Sequence, residues 1–73
     1  MIFNNESVVE VFEALEVAYG IDIEFDESQL EDCTITTKLD EEPLFQKLNI
    51  ICMALDLKFM EKDAVIFIEG EGC

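Results

Sequence analysis

The chain has 73 residues, with 18 acidic side chains against 4 lysines and a net charge of −14, and 51% of its residues are hydrophobic. These values predict one folded domain over residues 1–73, which buries only about 60% of its unfolded surface and leaves little core for an enclosed active site. Because no cluster of basic residues can neutralise phosphates, the composition excludes nucleic acid as a partner and disfavours direct contact with an anionic membrane.

The chain contains an internal duplication. An offset of 36 residues aligns residues 3–23 with residues 39–59, and the apolar pattern repeats although only two aligned pairs are identical. Each copy reads as a strand, a helix and a second strand. The duplication therefore predicts two β-α-β units.

The first helix is predicted between Ser7 and Gly20. Apolar residues recur every three or four positions from Val8 to Tyr19, as they do on the buried stripe of a helix. Ser7 and Glu10 have the spacing of a capping box, and Gly20 suits the left-handed conformation that ends many helices. Strands 21–25 and 34–39 are predicted to follow.

The second helix is predicted to begin with Pro43 in its first position and to contain the apolar run from Leu44 to Leu55. Phe45, Ile50 and Met53 lie outside its main apolar stripe, so apolar side chains occupy nearly its whole circumference. The polar residues that interrupt this ring are Gln46, Lys47 and Asn49. A helix of this kind is buried on more than one side, and we expect it to lie between two layers.

Strands 57–60 and 64–68 are predicted to close the chain as a hairpin. The element order is then β-α-β-β-α-β-β. This order predicts an α+β fold of duplicated β-α-β units, in which two helices pack with small sheets.

The first helix is also predicted to carry an acidic surface. Glu10 and Glu13 share one face and Glu16 lies beside it, with no Lys or Arg one turn away to neutralise them. Val9 and Val17 lie among these acids, and a mixture of charged and apolar residues is typical of a modest protein contact. A solvated acidic face with two incidental valines is the alternative interpretation.

No catalytic or metal site is predicted. The chain has no histidine, and its two serines, Ser7 and Ser28, have no base to activate them. The acidic segment 26–32 lacks the alternating pattern and central glycine of a calcium loop. We therefore expect no enzyme activity, no cofactor and no metal.

The three cysteines, Cys33, Cys52 and Cys73, do not form a CxxC motif. An oxidising compartment would allow one disulfide with one thiol left over, whereas a reducing compartment would leave three free thiols. Both states remain open at this point.

Three segments of the chain together resemble a known family. These segments are NNESVVEVFEALEVAYGIDIEFDESQLEDCTIT, DEEPLFQKLNIICMALDLKF and VIFIEGEGC. They are similar to the small C-terminal domain of FecR-like anti-sigma regulators from Bacteroidetes, which is itself related to the short N-terminal domain of secretins and TonB-dependent receptors. The resemblance extends over essentially the whole chain, although Ser7 stands where the family has a proline.

The resemblance implies a non-enzymatic domain for protein interaction and signal transduction. The chain would be the periplasmic C-terminal fragment of a longer, single-pass inner-membrane regulator. Its partner would be the signalling domain of an outer-membrane TonB-dependent transporter, and an extracytoplasmic-function sigma factor would bind only the missing N-terminal part. The alternatives are the equivalent N-terminal domain of a TonB-dependent receptor or secretin and, more distantly, a small acidic hydrolase.

The last strand, 64–68, is expected to lie at a sheet edge. An edge strand presents unpaired backbone groups, to which a partner of similar fold could add a strand. Val65 and Phe67 are therefore candidate partner-binding residues, together with Val9, Glu10, Glu13, Glu16 and Val17 of the first helix. The alternative is that the rest of the parent protein covers this edge.

Overall fold

The computed structural model describes residues 1–73 as three helices and five strands in two small sheets. The elements are β1 (Ile2–Ser7), α1 (Val8–Tyr19), β2 (Asp22–Glu24), α2 (Glu27–Leu30), β3 (Thr34–Lys38), α3 (Leu44–Leu55), β4 (Lys58–Lys62) and β5 (Val65–Glu69). This arrangement confirms the predicted α+β fold and the β-α-β order. It adds α2, because one helical turn is too short to show a hydrophobic period.

The two long helices confirm the duplication. Both have 12 residues, and each is preceded by an extended residue, Ser7 or Pro43, and followed by a left-handed residue, Gly20 or Asp56. Pro43 thus lies just before α3 and not within its first turn. The Ser7 side chain makes no capping hydrogen bond, so the predicted capping box with Glu10 does not form.

The strands β1 and β3 form an antiparallel two-stranded sheet with a bulge between Phe3 and Glu6. Asn5 lies in this bulge with a φ of 53°, a left-handed conformation that asparagine tolerates well. Its backbone N–H donates to Oγ1 of Thr36 at 2.9 Å. The bulge therefore remains hydrogen-bonded to the neighbouring strand.

The second sheet has three strands in the order β2-β5-β4. The central strand, β5, runs parallel to β2, with Ile23 opposite Ile66, and antiparallel to β4, with Met60 opposite Phe67. The expectation that the last strand lies at an edge is therefore wrong. The β4–β5 hairpin is local, but the pairing with β2 joins segments far apart in the chain, and no sequence period reveals such a contact.

One hydrophobic core joins the helices to the sheets. The largest side chains that are fully buried in it include Phe12, Leu15, Leu39, Leu48 and Ile51. Phe12 and Leu15 of α1 align with Leu48 and Ile51 of α3 in the duplication. The repeated apolar stripe therefore marks the core of both units, as the sequence predicts.

The helix α3 is buried on one side only, which contradicts the expectation that it lies between two layers. Its buried residues are Lys47, Leu48, Ile51 and Cys52. Met53 is 82% exposed and Phe45 is 46% exposed, with the Phe45 ring stacked on that of Phe59 at 6.1 Å between centroids. Because α3 packs mainly on β3 and β4, no further layer is left in so small a domain to cover its outer side.

The one charged residue in the interior is Lys47, one of the three polar residues that interrupt the apolar ring of α3. Its ammonium group donates to the hydroxyl of Tyr19 at 2.7 Å and to the backbone carbonyl of Glu42 at 2.8 Å, and lies 5.3 Å from the centre of the Tyr19 ring. These contacts satisfy the buried charge and join the end of α1 to the start of α3.

We expect Tyr19→Phe to lower the free energy of unfolding by about 1–3 kcal/mol. The substitution removes a hydrogen-bond acceptor from Lys47, which is only 5% exposed, so water does not readily replace it. Urea denaturation followed by circular dichroism measures the change. In a Lys47→Met background the same substitution should change stability by about 0.5 kcal/mol or less. An equal loss in both backgrounds would contradict a role for this hydrogen bond.

The structure contains one disulfide, between Cys33 and Cys73, whose Cα atoms are 5.3 Å apart. Cys52 is a buried free thiol, and burial raises its pKa to about 11, so it stays protonated near neutral pH. The C-terminal tail packs closely on α2. A side chain at Gly72 would therefore collide with the backbone carbonyl oxygen of Gln29. Of the two states left open by the sequence, the structure thus has the oxidised one.

Candidate functional site

The exposed side of α1 carries the acidic surface that the sequence predicts, and its members here are Glu10, Glu13 and Val17. Both carboxylates are exposed, and Val17 is 86% exposed, although it is a large apolar side chain. Together with Ala14 and Ala18 they line a shallow depression. Since α1 has no basic residue, its negative charge is not neutralised within the helix.

Two residues expected on this surface have structural positions instead. Val9 is only 8% exposed and belongs to the core, because α1 packs on β1, β2 and α2 and so buries a wider arc than one stripe. Glu16 is half-buried, and its Oε2 accepts a hydrogen bond from the backbone N–H of Ile23 at 3.0 Å. Glu16 thus provides a hydrogen-bond acceptor for a backbone N–H on the edge of β2 that faces away from β5. No sequence pattern predicts this contact between a helix side chain and the strand backbone seven residues later.

Val65 and Phe67 lie on the face of the three-stranded sheet that points away from the core, which we call the outer face. Ile66 and Ile68 alternate with them along β5 and are buried against the core, whereas Val65 and Phe67 are half-buried. Met60 of β4 is directly opposite Phe67 and is 53% exposed. These three side chains form an apolar strip on the outer face, and they do not mark a strand edge.

The open edge of this sheet is β4, since β5 is central and Glu16 bonds to the free edge of β2. Lys58 and Lys62 stand at the two ends of β4. Charged residues, and lysine in particular, discourage unspecific strand pairing at an edge. The backbone of β4 is thus an open edge of this sheet, whereas on β2 the N–H of Ile23 is already bonded to Glu16.

In the acidic loops, short-range hydrogen bonds within turns lower the pKa of two carboxyl groups. The Ser28 hydroxyl donates to Oδ1 of Asp26 at 2.7 Å and lowers the pKa of that carboxyl group. The backbone N–H of Asp40 donates to the Glu42 carboxylate and lowers its pKa in the same way. Both groups are exposed, and the hydrogen bonds span two residues. No group of three or more acidic or cysteine side chains is arranged to hold a metal ion.

Comparison with protein families shows to which family the chain belongs. The profile of the family described as "FecR, C-terminal" matches residues 1–68. The chain belongs to the FecR C-terminal family. The resemblance read from the sequence is thereby confirmed, and only the last residues, which include the disulfide partner Cys73, lie outside the matched range.

Two crystal structures of a presumed anti-sigma factor from Parabacteroides distasonis ATCC 8503 share the fold of this FecR C-terminal domain. The structure at 1.65 Å has a TM-score of 0.85 and 23% sequence identity, over 94% of this chain and 32% of that one. The structure at 2.50 Å has a TM-score of 0.83 and 24% identity, over 93% of this chain and 32% of that one. At this identity the likeness establishes the fold alone.

The FecR C-terminal domain described here therefore spans about a third of the length of the solved protein that it resembles. No functionally curated protein matches the sequence at a significant level. None of the three helices has the combination of length and apolar character that a membrane crossing requires.

Proposed function

We propose that this FecR C-terminal domain is a non-enzymatic regulatory domain of an anti-sigma factor and acts by binding another protein. The family match over residues 1–68 is the observation that carries this proposal. The fold shared with the Parabacteroides protein supports it, as does a mixed acidic and apolar surface on α1. The family match also favours a regulator over the N-terminal domain of a receptor or secretin.

The proposed partner is the signalling domain of an outer-membrane TonB-dependent transporter. In this proposal the domain lies in the periplasm, as part of a longer single-pass inner-membrane protein whose N-terminal part binds an extracytoplasmic-function sigma factor. The disulfide between Cys33 and Cys73 supports the location, since disulfides persist in oxidising compartments. The length of the solved Parabacteroides protein, about three times that of the matched region, supports the longer parent chain.

The acidic surface of α1 is the proposed contact for this partner. Exposed carboxylates accelerate the encounter with a basic surface, and the exposed Val17 supplies apolar area between them. The α1 helix is anchored to the core by Phe12 and Leu15, so the surface is presented on a rigid element. No ordering of a loop would then be required on binding.

Binding can be tested with the signalling domain of the transporter encoded beside the gene. We expect saturable shifts of α1 amide resonances on titration of the labelled chain. Glu10→Lys with Glu13→Lys should lower the association rate constant by about tenfold at low salt, because it reverses the steering charge. The stability of this variant should be unchanged or slightly higher, since like charges on α1 are relieved.

The matched control is Glu31→Lys with Glu41→Lys, two exposed acids outside α1 that give the same change in net charge. This control should keep most of the wild-type association rate. Equal rates for the α1 variant and the wild type would exclude the acidic surface as the contact. An absence of any shifts at near-millimolar concentration would contradict the proposed partner itself.

A further inference from the structure

The outer face of the three-stranded sheet has a segregated charge pattern. Its centre is the apolar strip of Val65, Phe67 and Met60. The strand register places Asp22 and Glu24 of β2 along one side of this strip, next to Val65 and Phe67. The same register places Lys62 and Lys58 of β4 along the other side. Acids therefore line one edge of the face and lysines line the other.

The two lysines of this face have no ionic partner within the chain. The structure contains a single ion pair, between Lys38 and Asp40 at 3.7 Å on the surface. Lys58 and Lys62 are exposed and unpaired, although acidic residues outnumber lysines by 18 to 4. Half of the basic residues of the chain are thus held on one face, beside an apolar strip and opposite a row of acids.

We propose that the outer face of the three-stranded sheet binds the same face of a second copy of this chain. A twofold axis parallel to the strands superimposes β5 on β5 and places β2 of each copy over β4 of the other. Asp22 of one copy then lies over Lys62 of its mate, and Phe67 meets Phe67 at the centre. The same rotation places Glu24 over Met60 and brings the two Glu69 side chains together at one end of the interface. The charge complementarity of this isologous interface therefore rests on its two symmetric Asp22–Lys62 contacts.

A second copy fits this face better than it fits the other surfaces of the chain. With a net charge of −14, two copies that meet through α1 or the acidic loops bring carboxylates together. On the outer face, three acids (Asp22, Glu24 and Glu69) are nearly balanced by two lysines. Aligned face-to-face packing of sheets is also a common solution for burying a half-exposed apolar sheet face.

The association is expected to be weak. Three strands about 4.8 Å apart, of which β4 and β5 have five residues and β2 has three, form a face of at most roughly 14 by 17 Å at about 3.3 Å per residue. A stable complex buries about 800 Å² per partner, which is more than this face provides. We therefore expect a dissociation constant in the range from high micromolar to millimolar. This inference does not depend on the identity of the transporter partner.

The test uses two complementary variants of the chain. Lys58→Glu with Lys62→Glu makes both edges of the face acidic, and Asp22→Lys with Glu24→Lys makes both edges basic. Sedimentation equilibrium at about 0.15 M salt, where the Debye length is about 8 Å, detects association with little long-range repulsion. The wild type should self-associate up to millimolar concentration, and each variant alone should do so at least tenfold more weakly. A mixture of the two variants should regain the wild-type association.

Recovery in the mixture is decisive because both variants remain negatively charged overall, so bulk attraction does not explain it. Glu31→Lys with Glu41→Lys serves as the control, since it has the same net charge as the basic-edge variant but changes exposed residues outside the outer face. On its own, this control should self-associate like the wild type. The proposal is overturned if the wild type stays monomeric at 1 mM, if the edge variants associate like the wild type, if the control loses association as the basic-edge variant does, or if the mixture of the two edge variants does not recover.

Discussion

Truncation of Leu48 or Ile51 to alanine is expected to lower the free energy of unfolding by about 2–5 kcal/mol. Both side chains are fully buried in α3 and pack in the single core of the protein. Their removal loses apolar burial and leaves a cavity that the neighbouring elements fill only in part. A domain of this length has a total stability of roughly 4–11 kcal/mol, so either substitution takes the chain close to unfolding at room temperature.

Urea denaturation with circular dichroism detection measures this loss. Met53→Ala is the matched control, because Met53 lies on the same helix and is 82% exposed, and we expect it to change stability by about 0.5 kcal/mol or less. A loss below about 1 kcal/mol for both core variants would show that α3 is not central to the fold.

Removal of the disulfide by Cys73→Ser is expected to lower stability by about 4 kcal/mol. The disulfide joins residues 40 positions apart, so it restricts a large part of the unfolded chain. Cys33 itself is fully buried, and without the covalent bond the tail is held only by packing, with Gly70 against Leu57 and Gly72 against Gln29 of α2. The same loss is expected when the wild type is treated with a reductant.

Comparison of oxidised and reduced protein isolates this effect. The reductant should destabilise the wild type by about the same amount as Cys73→Ser and should leave the variant unchanged. Thiol labelling should modify no cysteine in the native wild type and one, Cys52, after unfolding. A wild type that is equally stable with and without reductant would contradict a stabilising role for the disulfide, and would remove the support it gives to a periplasmic location.

The repeated units of the fold can be predicted from the sequence because their signals are local. The stripe from Val8 to Tyr19 and its copy 36 residues later, from Leu44 to Leu55, define both long helices, although Pro43 lies just before α3 and not in its first position. Gly20 and Asp56 end them in the left-handed conformation, as expected. The exposed positions of Glu10, Glu13 and Val17 follow from the same helical period.

The candidate surfaces are less predictable, because neighbours in space decide them. Val9 is buried because α1 packs on β1, β2 and α2, which a helical wheel does not show. The Glu16 carboxylate accepts a hydrogen bond from the backbone N–H of Ile23 and is therefore not free on the surface. Val65 and Phe67 lie on a sheet face and not on an edge, since β2 occupies the free side of β5.

Composition, periodicity and duplication within the sequence alone determined the α+β class, the two helices and the acidic side of α1. Only the tertiary structure decided the central place of β5, the exposure of Met53, the burial of Lys47 and the pairing of Cys33 with Cys73. The physical reason is that periodicity records which side of an element is buried. It does not record which distant segment covers that side, or whether any segment remains to cover the other one.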